Sequence, residues 1–424
     1  MSKFYKILFF LLILILPFQT RWIFFDHLLN QQVWEYGRLS LYLSMLFLFL
    51  LSSFYFKDFV SKFKKNFWKN KKLVSFLLLL IYLLFISIFS PLPDVSFYLI
   101  SFLLGAALFW QVLQRTEKKL IYTSLIFSGV VQSVLAILQT LQQTVFANKF
   151  LGIAEHLPET LGTSVVEFGL DRILRAYGSF PHPNILGGFL VLSVLAGIWW
   201  WIFIYHQAKE VSWRGPKMKF LLLKLLLVLV SLLLIIFALL LTFSRSAILA
   251  LVLALVFILI KAWRQKQRLK FQVAAKAIIL FLILVWQVSI LFPGVWTARF
   301  LGTERLEQKS INERISSVSQ IDWRNYSELF FGQGLGLNTY RYLNSEQAPY
   351  EVQPIHNFFL LVLAEIGVLG FLLLFNLAWQ LLDRNYLNLF NPWILALLVL
   401  AFFDHYLWTS WSGWLMLSLF LTKK

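Results

Sequence analysis

The chain has 424 residues, 59% of them hydrophobic and only 14% charged, whereas a soluble domain runs at roughly 45–50% apolar and about 25% charged. No water-soluble core absorbs that excess, and apolar runs of about 20 residues, the length a helix needs to cross the hydrocarbon of a bilayer, recur from one end to the other. Cysteine is absent, which excludes disulfide-stapled loops, thiol nucleophiles and Cys-ligated metals. The net charge of +18 would suggest nucleic acid in a soluble protein, but the basic residues fall in the gaps between apolar runs, which excludes that partner.

Lys3 and Lys6 precede the apolar run 7–16 in the manner of a signal peptide. Pro17-Phe-Gln-Thr-Arg21 stands where a small-x-small cleavage site belongs, so the run is read as an uncleaved first anchor. Spans are expected at 4–18, 39–56, 73–90, 95–113, 120–139, 184–205, 220–242, 246–260, 277–293, 356–375, 392–404 and 407–422. Lipid requires the backbone to be satisfied within each segment, and alternating barrel strands do not read as continuous apolar runs. The expected fold is therefore all-α: one polytopic membrane domain over 1–424, with about 12 transmembrane helices and two long outer loops, 140–183 and 294–355. In the first loop, Val165, Val166, Phe168 and Leu170 stand with Glu167, Asp171 and Arg172, a pattern read as a short interfacial helix over 163–174. No internal repeat or Gly/Ser linker divides the chain.

With the amino terminus placed inside, the inner gaps hold 26 of the 38 Lys and Arg residues, which sets both termini in the cytoplasm. The type of basic residue changes too: 21 of the 26 inner ones are Lys, and 10 of the 12 outer ones are Arg. Lys suffices beside anionic headgroups, whereas the planar Arg fork grips carboxylate or phosphate bidentately. The outer face is thus equipped to hold an anion, although pairing with the 15 outer acids also engages these arginines. Tryptophans near span ends, Trp199 to Trp201, Trp408, Trp411 and Trp414, are expected in an interfacial belt.

Three outer stretches concentrate unusual residues. Arg175-Ala-Tyr-Gly-Ser-Phe-Pro-His-Pro-Asn184 leads into the sixth span, with Pro183 suited to the first helical turn and His182 or Asn184 to its cap. Thr242-Phe-Ser-Arg-Ser246 joins the seventh and eighth spans, Ser244 or Ser246 capping the eighth and Arg245 held at the membrane boundary. The third stretch runs from Arg314 through Gly332-Gln-Gly-Leu-Gly336 to Pro354-Ile-His-Asn357 at the tenth span. Each of these three spans aims the positive end of its dipole outward, and each has an Arg nearby, the ingredients of a diphosphate cradle. Plainer readings stand beside these: His182 and His356 as helix caps, Arg245 snorkelling to headgroups, the glycine run as a tight turn. Glu365 is costly in lipid and requires a partner within the bundle.

These stretches resemble the O-antigen ligase and O-antigen polymerase superfamily: the pattern at 175–184, the turn at 242–246, and Arg314 with Gly332-x-Gly334, His356-Asn357 and Glu365-Ile-Gly367, in all residues 170–375. The resemblance implies an inverting, metal-independent glycosyltransferase without a cofactor. It would take a polyprenyl-diphosphate-linked oligosaccharide on the outer leaflet and pass the glycan to a glycan, lipid or protein acceptor, as ligase or as polymerase. By position, it implies that Arg175, Arg245 and Arg314 hold the diphosphate and His356 is the base. His182, Asn184, Ser244, Ser246, Asn357 and Glu365 are possible supports, with His182 and Arg341 in reserve. The expected location is the plasma or inner membrane, among lipids. The outer loops show no tight cluster of Asp, Glu and His spaced for a metal. The alternative is a transporter or flippase for lipid-linked sugars, which predicts mid-span charges and broken helices; apart from Glu365 the spans lack such charges.

Overall fold

The computed structural model describes residues 2–55, 70–209, 215–302, 304–316, 319, 321, 323–343, 351–381 and 391–421. The chain opens with α1 (Lys3–Ile15), a hairpin of β1 (Arg21–Leu29) and β2 (Gln32–Tyr42), and α2 (Leu43–Ser53). Next come α3 (Lys71–Ile88), α4 (Pro93–Arg115) and α5 (Lys118–Gln142), and a second hairpin, β3 (Val165–Phe168) and β4 (Asp171–Leu174). Then follow α6 (Pro183–Lys209), α7 (Pro216–Leu241), α8 (Arg245–Arg264), α9 (Arg268–Leu291), α10 (Pro293–Leu301), α11 (Arg305–Ser316) and α12 (Tyr326–Phe331). After a 3₁₀ turn at Asn338–Tyr342, the chain ends with α13 (Phe358–Leu381), α14 (Pro392–Phe403), α15 (Tyr406–Thr409) and α16 (Trp411–Leu421).

Eight of the described helices are long and apolar enough to cross a membrane: α3 to α9 and α13. The other four expected spans correspond to shorter helices, α1, α2, α14 and α16, of 13, 11, 12 and 11 residues. The basic run 57–69 and Arg384 lie outside the described residues. Helix α6 is apolar on every side and almost wholly buried, which makes it the axis of the bundle. Helix α7 leaves Leu222, Leu223, Leu226 and Leu227 exposed, as a lipid-facing helix does.

Two expectations fail locally. The interfacial helix over 163–174 is instead the β3–β4 hairpin, in which Glu167 faces Arg172 and Phe168 faces Asp171. Gly169, at φ +60°, makes the turn, and the β-branched Val165, Val166 and Ile173 favour the pleated backbone. The second span shortens because residues 39–42 continue β2, paired with β1 from Arg21↔Tyr42 to Leu29↔Gln32. Asn30 and Gln31, both at positive φ, form the two-residue turn that suits a twisted hairpin.

The tryptophan belt is also corrected. Trp408, Trp411 and Trp414 are buried, and their indole N–H groups donate to the Glu365 carboxylate (2.7 Å), Ser44 Oγ (2.8 Å) and the Trp408 carbonyl (2.7 Å). A buried indole requires such a partner, and these find it in protein rather than in headgroups.

The hairpins and long connecting segments meet one another. Asn30 donates to the Tyr342 carbonyl (3.1 Å), Thr20 to the Phe150 carbonyl (2.8 Å), and Glu167 pairs with Arg305 (3.1 Å).

Candidate active site

The turn between α7 and α8 is the organising point. Phe243 there adopts φ +46°, an outlier for a bulky side chain. It is fully buried and packs edge-on against Phe292 and Trp296. Thr242 Oγ1 accepts from the Ser244 amide (3.2 Å), and Ser244 Oγ accepts from the Ala247 amide (3.4 Å), so Ser244 caps α8; Ser246 Oγ lies 3.3 Å from Ser244 Oγ. The twist presents two successive carbonyls to two arginines: Arg175 Nε donates to the Thr242 carbonyl and Arg299 Nε to the Phe243 carbonyl, each at 2.8 Å.

Arg245 begins α8 beside them. Its guanidinium pairs with Glu307 (3.2 Å), and Arg299 holds the other oxygen of the same buried carboxylate. Arg314, on α11, bonds Ser310 Oγ (2.9 Å) and lies close enough to Arg245 for the two charges to repel. Arg245 and Arg299 thus meet on Glu307, with the Arg175 and Arg314 charges close enough to act on them. In the sequence nothing in the neighbourhood of Arg299, Ala298-Arg299-Phe300, marks it apart from the other outer arginines.

A chain of hydrogen bonds leads from this cluster to a second one. Arg175 Nη2 donates to Asn184 Oδ1 (2.7 Å), and Asn184 Nδ2 donates to Asp404 Oδ2 (2.7 Å). Arg175 is only 5% exposed, which makes it a clamp between the first two motifs more than an open anion grip. Asp404 Oδ1 accepts from the His405 amide (2.9 Å). The His356 and His405 rings lie 5.1 Å apart, and donor atoms of His356, Asp404 and His405 all fall within 4.8 Å of one another. The expectation that the outer segments lack a tight Asp/His cluster is therefore overturned, because the group forms only when the chain folds residue 356 against 404–405. It is the described group nearest to a metal-binding arrangement. Asp404 accepts from Asn184 and His405, and His405 Nδ1 is bonded to Thr409 Oγ1 (2.9 Å), so these two side chains are held in place by the protein itself.

His182, His356, Asp404 and His405 line one cavity of about 780 Å³, together with residues of the β1–β2 hairpin that include Arg21 and Tyr36. His182 Nδ1 accepts from the Asn184 amide (3.1 Å), which leaves Nε2 to donate to Ser164 Oγ (3.0 Å). The ring is thus held neutral as a cap of α6, and burial with the Arg175 charge pushes it down to about 3. His356 differs. Asn357, not His356, caps α13, accepting from the Leu360 amide (3.0 Å) while its Nδ2 donates to the Phe402 carbonyl (2.9 Å). His356 Nδ1 is buried and has no hydrogen-bond partner. Burial holds this ring below the ordinary imidazole range, with Asp404 opposing and Arg314 assisting.

Glu365 supports the site from behind. Gly367, at φ +65°, breaks α13 and releases carbonyls that the glycine loop fills: the Gln333 amide donates to Ala364 O (2.8 Å) and the Gly334 amide to Glu365 O (3.1 Å). The Glu365 carboxylate accepts from the Gly336 amide (2.9 Å) and from Trp408. Asn338 Oδ1 then accepts from the Ile355 amide (3.2 Å), next to His356. Arg341 stacks on Tyr342 at 5.0 Å, in the 3₁₀ turn.

Residues 230–375 match the family model described as O-antigen ligase. The match supports placing the chain in the O-antigen ligase and polymerase superfamily that its motifs resemble, as a multi-pass membrane protein of polysaccharide biosynthesis. It takes in Arg245, Arg299, Glu307, Arg314, His356 and Glu365, and leaves Arg175, His182, Asn184, Asp404 and His405 outside. Among curated proteins none matches the chain.

Proposed function

We propose that this O-antigen ligase-type protein transfers a glycan from a polyprenyl-diphosphate carrier to an acceptor hydroxyl on the outer face of the plasma or inner membrane, as ligase or polymerase. The observation that carries the reading is the hydrogen-bonded link, through Arg175 and Asn184, from an arginine cluster at the 242–245 turn to Asp404, beside which the His356 ring presents an Nδ1 without a hydrogen-bond partner at a cavity wall. In this reading the acceptor oxygen attacks the anomeric carbon, the bond to the diphosphate oxygen breaks with inversion, and the acceptor proton passes to His356. Arg245 and Arg314, braced by Arg299 and Arg175, stabilise the charge that grows on the departing diphosphate.

The arginines supply the positive charge that a metal would otherwise bring, so the proposed reaction is metal-independent. Purified protein given a polyprenyl-diphosphate-linked oligosaccharide and membrane acceptor should release polyprenyl diphosphate at the same rate with and without EDTA. Loss of activity in EDTA, restored by a divalent ion, would assign His356, Asp404 and His405 to a metal instead. No release under any condition would refute glycan transfer.

A further inference from the structure

Asp404 is an acid in an otherwise apolar stretch, Leu397 to Tyr406, broken only by Asp404-His405. It lies outside the matched residues 230–375. It is 4% exposed and occupies the extended residue between α14 and α15. A carboxylate so buried requires partners, and its two oxygens are held separately, by Asn184 Nδ2 at the start of α6 and by the His405 amide. So anchored, it lies against the His356 and His405 rings.

We propose that Asp404 is a positioning residue for His356: its anchored carboxylate orients the imidazole toward the cavity and stabilises the imidazolium formed when the acceptor proton arrives. The inference rests on the proposed transfer reaction. The proton leaves the acceptor hydroxyl and ends on the imidazole, the new glycosidic bond forms, and polyprenyl diphosphate departs; Asp404 keeps its charge throughout. Through Asn184 the same carboxylate is tied to Arg175, and through Arg175 to the turn that bears Arg245. One hydrogen-bonded chain thus runs from the carboxylate beside the base to the turn that bears the diphosphate grip. His405 cannot take the orienting part, since its Nδ1 is engaged by Thr409 and it carries no negative charge.

The groups that act on the His356 ring are Asp404 and Glu313, which favour its protonated form, and Arg314, His405 and His182, which oppose it. Removing the Asp404 charge therefore lowers the pKa of His356. In Asp404→Asn, ring-labelled histidine NMR on detergent-solubilised protein, assigned by loss of a signal in His356→Ala, should show His356 titrating about one unit lower than in wild type. The acid limb of the transfer rate should move by the same amount, and kcat should fall about 10-fold or more with donor KM nearly unchanged. Asp404→Glu should restore the His356 pKa but not the rate, because the charge returns in a shifted position. Asn184→Ala, which leaves the charge but removes its anchor, should lower kcat in the same way and provides the test if Asp404→Asn does not fold.

An unchanged His356 titration in Asp404→Asn, or full activity in both Asp404→Asn and Asn184→Ala, overturns the proposal. The NMR titration needs no substrate. A His356 shift in Asp404→Asn together with a wild type that never releases polyprenyl diphosphate therefore fails the transfer reading and not the placement of Asp404.

Discussion

At the scale of single residues, the site divides into groups that are spent and groups that are available. His182 has both ring nitrogens hydrogen-bonded and Arg175 both ends of its guanidinium, so each acts through what it holds in place. His356, with its buried and unpartnered Nδ1, is available. If it is the base, His356→Ala should lower kcat by about 10²–10⁴ and leave donor binding nearly intact. The pH dependence follows from the direction of its shift: burial favours the neutral ring, so the base form persists below pH 6.5 and the rate falls only as pH drops through the lowered pKa. That acid limb should vanish in the mutant; its persistence would move the base elsewhere. Arg245 should fail differently. Arg245→Lys keeps charge but loses the two-pronged fork, which should weaken donor binding in part, and Arg245→Ala should weaken both binding and turnover, read as separate effects on KM and kcat.

At the scale of elements, the broken helix α13 and the glycine loop form one device. The break at Gly367 brings two backbones so close that a Cβ at Gly332 would lie 2.2 Å from the Glu365 carbonyl, and one at Gly367 would lie 2.3 Å from the Phe330 carbonyl. Gly332 also sits at φ +85°. Gly332→Ala should therefore destabilise the protein by more than about 1 kcal/mol. Because the loop positions Ile355 through Asn338, it should also reduce transfer more than its loss of stability explains. Thermal unfolding in detergent and the transfer rate below the unfolding range separate the two effects, and a variant with wild-type melting and activity would remove the loop from this role. The sequence marks the glycines and Glu365 as unusual; that one breaks a helix to receive the others depends on a contact across 30-odd residues of chain that no local pattern encodes.

At the scale of the whole molecule, the β1–β2 hairpin and residues between 145 and 182, 352–356 and 404–410 line the cavity, and Glu167 of the second hairpin reaches α11 through Arg305. If the partition of Lys and Arg sets orientation, this end faces outward. Single cysteines are an unambiguous probe, since the chain has none of its own. Lys149→Cys, in the exposed segment after α5, should react with a membrane-impermeant maleimide from the outer side. Gln265→Cys, in the turn between α8 and α9, should react only after the inner side is opened. The reverse pattern would place the site in the cytoplasm, away from an outer-leaflet donor.

What the residues determined alone follows from interactions that are local or one-dimensional. Apolar run length and composition announce helices in lipid, the 242–246 turn and the Ser244 cap are written in adjacent residues, and the three motifs carry the family resemblance. Folding decided the rest. The 163–174 stretch became a hairpin because a pairing strand satisfied its backbone, and tryptophans expected at the interface were buried because protein groups met their N–H. Arg299 and Glu307 joined Arg245, and Asp404 and His405 joined His356, because a buried charge must find its partner wherever the packed bundle brings one, at separations along the chain that sequence spacing does not record.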